Sequence, residues 1–247
     1  MAQLAQPNTG TARTLVGAAA LAVALGGTLA GCKDPTVGAA TGSATPPGTS
    51  APGAPGGAKG SALAAVGGLT VKGRAPKTGY SRDRFGPEWS DTDHNHCDTR
   101  DDILKRDLTG TSFRDGAKKC IVTSGTLNDP YTGTRITYTR GASKVDIDHA
   151  VALSDAWQKG AAQWTDDKRR DFANDPLNLL AVDSSTNRRK SDGDTATWLP
   201  PNTAFRCAYV ARQVAVKKKY GVWVTSAERD AMRTVLNGCP AQPLPAG

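Results

Sequence analysis

Residues 145–149 read Val145-Asp146-Ile147-Asp148-His149, a short stretch in which apolar and polar residues alternate. This alternation is typical of a β-strand with one buried face. Residues 177–182 predict a second short strand, and residues 184–190 predict a polar helix directly after it. The order strand, strand, helix allows the three segments to fold back on one another, so that their polar side chains converge on one point.

Asp148, His149, Asn178 and Asn187 are the residues of these segments whose chemistry suits phosphodiester hydrolysis. That reaction requires a base to activate water and a Lewis acid to polarise the phosphate. His149 is the predicted general base, because imidazole titrates near neutral pH. Asn178 is predicted to orient the imidazole ring. An Asp-His pair alone is more often structural, and the combination with Asn178 and Asn187 is what favours catalysis.

The predicted metal ligands are the side-chain oxygens of Asp148 and Asn187, with Asp146 as a further ligand or as a support for them. Asp146 shares a strand face with Asp148, because side chains two residues apart point the same way. Hard oxygen ligands favour Mg²⁺, Mn²⁺ or another divalent cation as the cofactor. Lys190 lies one helical turn beyond Asn187, where its ammonium is predicted to contact a phosphate oxygen.

The sequence around these residues resembles the HNH endonucleases. Within them it resembles a subgroup that includes small exported proteins and the C-terminal nuclease part of GmrSD-type restriction enzymes. The segments that carry the resemblance are 145–153, 157–161, 174–180, 187–192, 85–86, Trp89, 129–133 and 198–200. The resemblance implies a ββα-metal (HNH) nuclease core, one divalent ion and cleavage of DNA, with RNA as the alternative substrate.

Two features depart from the pattern of this family. The last position of the motif, named for histidine, is Asn187 in this chain, which favours a Mg²⁺-like ion over zinc. The stretch between His149 and Asn178 is also longer than in compact HNH motifs, and it is predicted to carry an extra helix at residues 154–164.

The remaining sequence predicts an α+β fold, with extra N- and C-terminal helices around the core. Thr99 is predicted to cap a short helix at residues 99–104. Residues 120–122 and 135–138 predict strands, and a helix at residues 203–220 is predicted to stop at Gly221. A last helix is predicted from Thr225, which forms a capping box with Glu228, to residue 236.

Residues 1–31 predict a lipoprotein signal peptide, because an apolar run leads into Leu29-Ala30-Gly31-Cys32. This ending resembles a bacterial lipobox, in which the cysteine is lipidated. The alternative is an ordinary signal peptide with an incidental cysteine. Residues 32–79, rich in Gly, Pro, Ala, Ser and Thr, predict a disordered tether, and residues 80–240 the nuclease domain. The chain is therefore expected to be exported and lipid-anchored to the outer face of the cell membrane.

Cysteine usage agrees with export, since Cys97, Cys120, Cys207 and Cys239 remain when Cys32 is set aside. An even number of cysteines is typical of a compartment in which disulfides persist. Three pairings are possible, and proximity in sequence favours Cys97–Cys120 and Cys207–Cys239. A four-cysteine zinc site is the alternative, but the chain has no Cys-x-x-Cys spacing.

The chain carries a formal net charge of +8, which suits a polyanionic partner such as nucleic acid or an anionic membrane surface. Arg188, Arg189 and Lys190 are predicted to contact phosphates of a nucleic acid substrate. No set of residues predicts base-specific contacts, so binding is expected to be independent of sequence, with DNA as the main substrate. The membrane is the other expected partner, through the lipid anchor, and no obligate protein partner is evident.

A second histidine motif, Asp93-His94-Asn95-His96, resembles the letters HNH more closely than the predicted site does. It lies in a polar stretch with no strand to position it. A His-x-His pair with nearby acids is able to bind a transition metal adventitiously. We expect this segment to be a solvated loop.

Three functions compete at this stage. The first is an endonuclease that acts outside the cytoplasmic membrane, and the second is a catalytically inactive surface lipoprotein that binds nucleic acid or another polyanion. Intact Asp148, His149, Asn178 and Asn187 favour the first. A cell-wall hydrolase is suggested only by location, because the chain offers neither a zinc cluster of His and Asp nor a Cys/His pair.

Overall fold

The structure, a computed structural model, describes residues 57–116 and 118–246 of the chain. The helices are α1 (Ala62–Val66), α2 (Thr99–Asp107), α3 (Leu153–Gln158), α4 (Asp166–Ala173), α5 (Ser184–Lys190), α6 (Arg206–Tyr220) and α7 (Ser226–Asn237). The strands are β1 (Leu108–Phe113), β2 (Val122–Asn128), β3 (Arg135–Thr139), β4 (Val145–His149) and β5 (Leu179–Asp183). The fold is mixed α+β, as predicted. No helix in these two ranges has the length and apolar character needed to cross a bilayer.

The strands form two small antiparallel sheets, one in the order β1-β2-β3 and one made of β4 and β5. In the second sheet, Asp146 pairs with Val182, Asp148 with Leu180 and His149 with Leu179. Helix α5 follows β5 without a break and packs against both strands. The predicted order of strand, strand and helix is therefore present, with α5 at residues 184–190 as predicted.

Strand β5 has apolar residues on both faces because it lies between two parts of the core. Leu179 and Ala181 pack with Val145 of β4 and with the three-stranded sheet. Leu180 and Val182 pack on the other side, in the cluster formed by α1, α6 and α7. Burial on both faces explains the unbroken apolar run at residues 179–182.

Several local predictions differ from the structure. The residue that caps α2 is Asp98, whose carboxylate accepts the backbone N–H of Asp101 at 2.8 Å, whereas the Thr99 hydroxyl donates to the carbonyl of Ser90. The predicted helix at residues 154–164 is α3 followed by a separate 3₁₀ turn at Ala161–Gln163. No local sequence pattern predicts β1 or α4.

Residues 57–79 belong to the folded domain, so the predicted domain start at residue 80 is too late. Helix α1 buries Leu63 and Val66 against α6 and α7, and Arg74 forms an ion pair with Asp155 at 2.9 Å. The Gly- and Ala-rich composition of this segment predicts a tether, although its few large apolar residues are enough to pack against the core. The predicted signal peptide, Cys32 and the rest of the predicted tether lie outside the described residues.

The domain also continues past residue 240 at its other end. The backbone N–H of Ala62 donates to the carbonyl of Gln242 at 2.8 Å, and Ser61 bridges to Pro243. Leu244 packs against the core. The C-terminal segment thus closes over α1.

Both predicted disulfides are present. Cys97–Cys120 joins the segments that lead into α2 and β2, with a Cα–Cα distance of 5.1 Å. Cys207–Cys239 joins the start of α6 to the end of α7, with a Cα–Cα distance of 6.5 Å. Each closes a loop of moderate length, which restricts the unfolded chain.

A group of five buried ionic side chains, here named the buried charge cluster, links α3, α6 and α7. Its members are Asp155, Lys159, Asp194, Lys217 and Glu228, all at most 3% exposed. The Lys159 ammonium lies 2.7 Å from Asp155, 2.7 Å from Asp194 and 2.6 Å from Glu228. The backbone N–H of Glu228 donates to the Thr225 hydroxyl at 3.1 Å, as in a capping box. The Glu228 carboxylate, however, points into the cluster.

Candidate active site

A cleft of about 500 Å³ lies along β4, and it contains the predicted general base and the predicted metal ligands. Asp146, Asp148 and His149 line it from β4, and Asn187 lines it from α5. The segment 77–89 and the first turn of α2 also contribute lining residues. The fold therefore brings the predicted base and the predicted metal ligands to one cleft.

His149 ends β4 with its side chain largely buried at the cleft. Its Nε2 lies 2.8 Å from the carbonyl oxygen of Ala173. Because a carbonyl oxygen only accepts hydrogen bonds, Nε2 must carry the hydrogen and Nδ1 must hold the lone pair. Burial lowers the pKa of the His149 imidazole to about 3, so the ring is neutral at physiological pH. The site thus holds a neutral imidazole in a defined tautomer.

Trp89 stacks on the His149 ring, with the centroids 6.3 Å apart and the planes within 11° of parallel. Trp89 has a φ of 59°, a left-handed conformation that is uncommon for a bulky residue. The indole lies parallel to the imidazole and offset from it, and the Ala173 carbonyl holds the Nε2 edge of the imidazole ring. Sequence analysis included Trp89 among the residues of the family resemblance but gave it no role.

Asp148 is buried beside His149, and each of its carboxylate oxygens already accepts a hydrogen bond. The Tyr131 hydroxyl donates to Oδ2, and the Lys190 ammonium donates to Oδ1 at 3.0 Å. Burial raises the pKa of the Asp148 carboxyl, while Lys190 and Tyr131 act in the opposite direction. Burial also raises the pKa of Tyr131 well above its ordinary value, so its hydroxyl remains a donor.

Lys190 does not lie where a phosphate contact was predicted. Its ammonium is buried and donates to Asp148 and, at 2.8 Å, to the backbone carbonyl of His149. Helical spacing correctly placed Lys190 on the same face of α5 as Asn187. That face packs onto β4, so the ammonium meets a carboxylate of the protein. Lys190 ties α5 to the strand that carries the site.

Asn178 also differs from its predicted role, because it does not contact the imidazole. Its side-chain oxygen accepts the backbone N–H of Val151 at 2.8 Å, and its amide nitrogen donates to the Val151 carbonyl at 3.2 Å. These two bonds fix the chain immediately after His149. The orientation of the ring itself comes from Ala173 and Trp89.

Asp146 and Asn187 lie together at the cleft, with the Asn187 amide nitrogen 3.2 Å from Asp146 Oδ2. Both side chains are partly exposed. Across residues 57–116 and 118–246, no group of three or more His, Cys, Asp or Glu side chains is arranged to hold a metal ion. A metal here would therefore need the amide oxygen of Asn187, together with water or substrate oxygens. This donor set fits Mg²⁺, which takes few protein ligands and keeps water.

The cations of the cleft are Lys77, Arg82 and Arg100, which the sequence analysis did not single out. Arg188 and Arg189, the predicted phosphate contacts, are exposed on α5, and neither lines this cleft. Lys77 and Arg82 come from the segment upstream of the predicted strands. Their position depends on how that segment packs, which no local pattern indicates.

The second histidine motif is an exposed loop, in agreement with the prediction. His94 and His96 are exposed. The Asp91 carboxylate accepts the backbone N–H groups of Asn95 at 3.1 Å and His96 at 2.9 Å, which accounts for the shape of the turn. Neither histidine lines the cleft along β4.

Comparison with known proteins gives two relationships. The family "GmrSD restriction endonucleases, C-terminal domain" matches residues 98–235. A protein of Arthroderma benhamiae named "Uncharacterized secreted protein" is 44% identical over 174 residues, which cover 70% of this chain and 81% of that protein. No solved structure matches the chain significantly. The chain belongs to the family of GmrSD restriction endonuclease C-terminal domains.

Proposed function

We propose that this chain is a metal-dependent endonuclease of the HNH type, which hydrolyses phosphodiester bonds of DNA, with RNA as the alternative substrate. The observation that carries the proposal is the state of His149 in the cleft. Its Nε2 hydrogen is bound to Ala173, which leaves the Nδ1 lone pair for a water proton. Membership in a restriction-endonuclease domain family supports a nuclease independently.

The arrangement of β4, β5 and α5 supports a core of the ββα-metal class. Two antiparallel strands followed directly by a helix bring Asp146, His149 and Asn187 to one cleft. Lys190 and Asn178 hold this unit together through the bonds described above. Their roles are to position the helix and the loop after His149.

In the proposed reaction, Nδ1 of His149 takes a proton from the water that attacks phosphorus. The hydrogen bond from Nε2 to the Ala173 carbonyl becomes stronger as the ring gains positive charge, because the donor is then cationic. The leaving oxygen departs from phosphorus and gains a proton from water. His149 then returns its proton to solvent, and the site is restored.

Asp146 and Asn187 would hold the divalent ion, with Asp148 behind them. When bound, the ion would supply positive charge that stabilises the five-coordinate phosphorus transition state and the leaving oxygen. Three cations and three carboxylates of the protein line the cleft. A bound divalent ion would make the net charge of the cleft positive, which favours an anionic substrate over a neutral one.

Export and a lipid anchor at Cys32 complete the proposed function. Two disulfides are typical of proteins that fold in an oxidising compartment. The sequence Leu29-Ala30-Gly31-Cys32 supports lipidation, and the similar protein of Arthroderma benhamiae is named as secreted. The proposed site of action is therefore outside the cytoplasmic membrane.

The test is cleavage of plasmid DNA and of RNA by the purified full chain in Mg²⁺, in Mn²⁺ and in EDTA. We expect cleavage with either metal and none in EDTA. Asp146→Asn should raise the metal concentration needed for half-maximal cleavage, whereas His94→Asn in the exposed loop should not. Cutting that continues in EDTA would contradict the proposed chemistry. Binding of DNA without any cleavage would identify the chain as the inactive binding protein.

A further inference from the structure

We infer that Arg100 is an anchor for a phosphate of the nucleic acid strand, an inference that rests on the function proposed above. Arg100 lies in the first turn of α2, is half-buried and lines the same cleft as His149 and Asp146. It differs from the other basic side chains of the site in having no ionic partner in the described part of the chain.

The other cations of the site are neutralised by carboxylates of the protein. The Lys77 ammonium lies 3.1 Å from Asp192, and the Arg82 guanidinium lies 2.6 Å from Glu88. Behind the cleft, Lys190 is paired with Asp148. Each of these cations already shares its charge with a carboxylate of the protein, so a phosphate would compete with an existing partner.

Arg100 is left unpaired because the carboxylates nearest to it in sequence are engaged elsewhere. Asp101 is buried, forms an ion pair with Arg140, and accepts the backbone N–H of Val122. Asp98 caps the helix through the N–H of Asp101. Among residues 57–116 and 118–246, the Arg100 side chain forms neither an ion pair nor a hydrogen bond, so its guanidinium donors remain available at the cleft that it lines.

A contribution of Arg100 to folding stability does not explain its position. A cation in the first turn of a helix opposes the helix dipole. The first-turn N–H groups of α2 are turned toward Asp98, which supplies acceptors to Asp101 and Asp102. The phosphate would therefore be held by the guanidinium alone, because the helix-terminal N–H groups of Asp101 and Asp102 already have acceptors.

The chemistry of the guanidinium selects the ligand class. Its planar fork of N–H donors matches two non-bridging oxygens of a phosphodiester, which a lysine ammonium contacts only as a point charge. A strand that passes its scissile phosphate beside His149 carries further phosphates along the cleft. Arg100 would hold one of these phosphates and contribute mainly to substrate binding.

The experiment measures the affinity of the full-length protein for a fluorescein-labelled DNA oligonucleotide in EDTA, over a series of salt concentrations. Arg100→Ala should weaken binding by about tenfold at low salt and reduce the slope of log K against log salt by about 1. Arg100→Lys should retain the slope and lose part of the affinity. The matched control is Arg233→Ala, since Arg233 is exposed on α7 and does not line the cleft.

Cleavage assays of the same proteins in Mg²⁺ separate this inference from the proposed function. Unchanged affinity and salt slope in Arg100→Ala would overturn the anchor, even if the wild type cuts DNA. A wild type that binds DNA through Arg100 but never cuts it would overturn the nuclease and leave the anchor in place. A wild type that neither binds nor cuts would overturn both. The thermal unfolding temperature of Arg100→Ala should match that of the wild type. If Arg100→Ala is less stable, the affinity and salt slope of Arg100→Lys test the anchor instead.

Discussion

The cleft along β4 and the buried charge cluster both bring carboxylates and cations together, but they satisfy these charges differently. In the cluster, every ionic group has a partner of opposite charge within the protein. Glu228 and Asp155 raise the pKa of Lys217, although burial opposes them. In the cleft, as far as the described residues show, the Asp146 carboxylate has only the Asn187 amide as a partner and the Arg100 guanidinium has none. Charges that are paired inside the fold serve its stability, whereas charges left without partners in a cleft are available to a metal or a substrate.

Lys190 shows that this difference does not follow from residue type or from position in sequence. It lies next to the proposed catalytic residues, yet its contacts with Asp148 and His149 are of the kind seen in the buried charge cluster. Because the Lys190 ammonium is buried and paired, we expect it to stabilise the fold and not to bind substrate. The predictions below test this division between stability and binding.

The largest effect on stability is expected for Lys159→Met, which keeps the shape of the side chain and removes the charge. Only Lys217 and the partly exposed Arg74 would then remain to pair with the three carboxylates. The free energy of unfolding should fall by an amount toward the upper end of about 3–5 kcal/mol. Urea titration monitored by circular dichroism gives this value. The exposed Lys218→Met should change it by less than about 0.5 kcal/mol. Equal effects for the two variants would contradict the role of the cluster.

Lys190→Met should behave like a variant of the cluster, with a loss toward the lower end of about 3–5 kcal/mol because Asp148 remains buried without its partner. The salt dependence of DNA binding should not change, since the wild-type ammonium does not reach the cleft. Denaturant titration and fluorescence anisotropy give the two quantities. If Lys190→Met is as stable as the wild type and its DNA binding has a shallower salt slope, the result would support the phosphate contact predicted from the sequence.

Trp89→Ala should lower kcat by about tenfold, which corresponds to about 1.4 kcal/mol, because the imidazole loses the parallel aromatic ring beside it. DNA affinity in EDTA should not change. Trp89→Phe should recover most of the rate, since a smaller aromatic ring is still able to stack. Steady-state cleavage kinetics separate kcat from KM. An increase in KM alone would mean that Trp89 contacts the substrate and does not position His149.

The last expected effect is the contribution of His149 to the pH dependence of stability in EDTA, which is small over any one pH unit. The pKa of His149 is about 3 in the folded protein and near 6.5 in the unfolded chain, so the unfolded state binds more protons between these values. Stability should therefore rise with pH across this window, by at most about 1.4 kcal/mol per pH unit from this group. His149→Gln should remove that part of the slope, whereas His94→Gln should not. Urea titrations at several pH values between 4 and 7 provide the comparison.

Local sequence patterns were sufficient to predict β4, β5 and α5, because their alternation and polarity follow from the faces that they bury. The stop at Gly221 was also predictable, since its φ of 74° suits glycine. Patterns of this kind do not indicate what packs against a given face. The helical spacing of Lys190 was therefore correct while its predicted partner was wrong.

Residues from distant segments were the least predictable part of the site. Trp89 and Arg100 reach the cleft from chain that precedes β4 by several elements. The pattern that predicts a helix at residues 99–104 does not indicate what Arg100 faces. Composition predicts a tether that includes residues 57–79, because Leu63 and Val66 are among the few large apolar residues in a stretch rich in Gly and Ala. The two disulfides, by contrast, followed from proximity in sequence.

The decisive measurement is cleavage of plasmid DNA in Mg²⁺ by His149→Ala beside the wild type, with folding and DNA affinity measured on the same samples. The rate should fall by about 10²–10⁴-fold, the range for loss of a positioned base. The affinity in EDTA should stay within about twofold, since phosphate contacts dominate it. Lys159→Met, assayed below its unfolding temperature, should cut at nearly the wild-type rate. A folded His149→Ala protein that cuts at the wild-type rate would contradict the assignment of catalysis to the cleft.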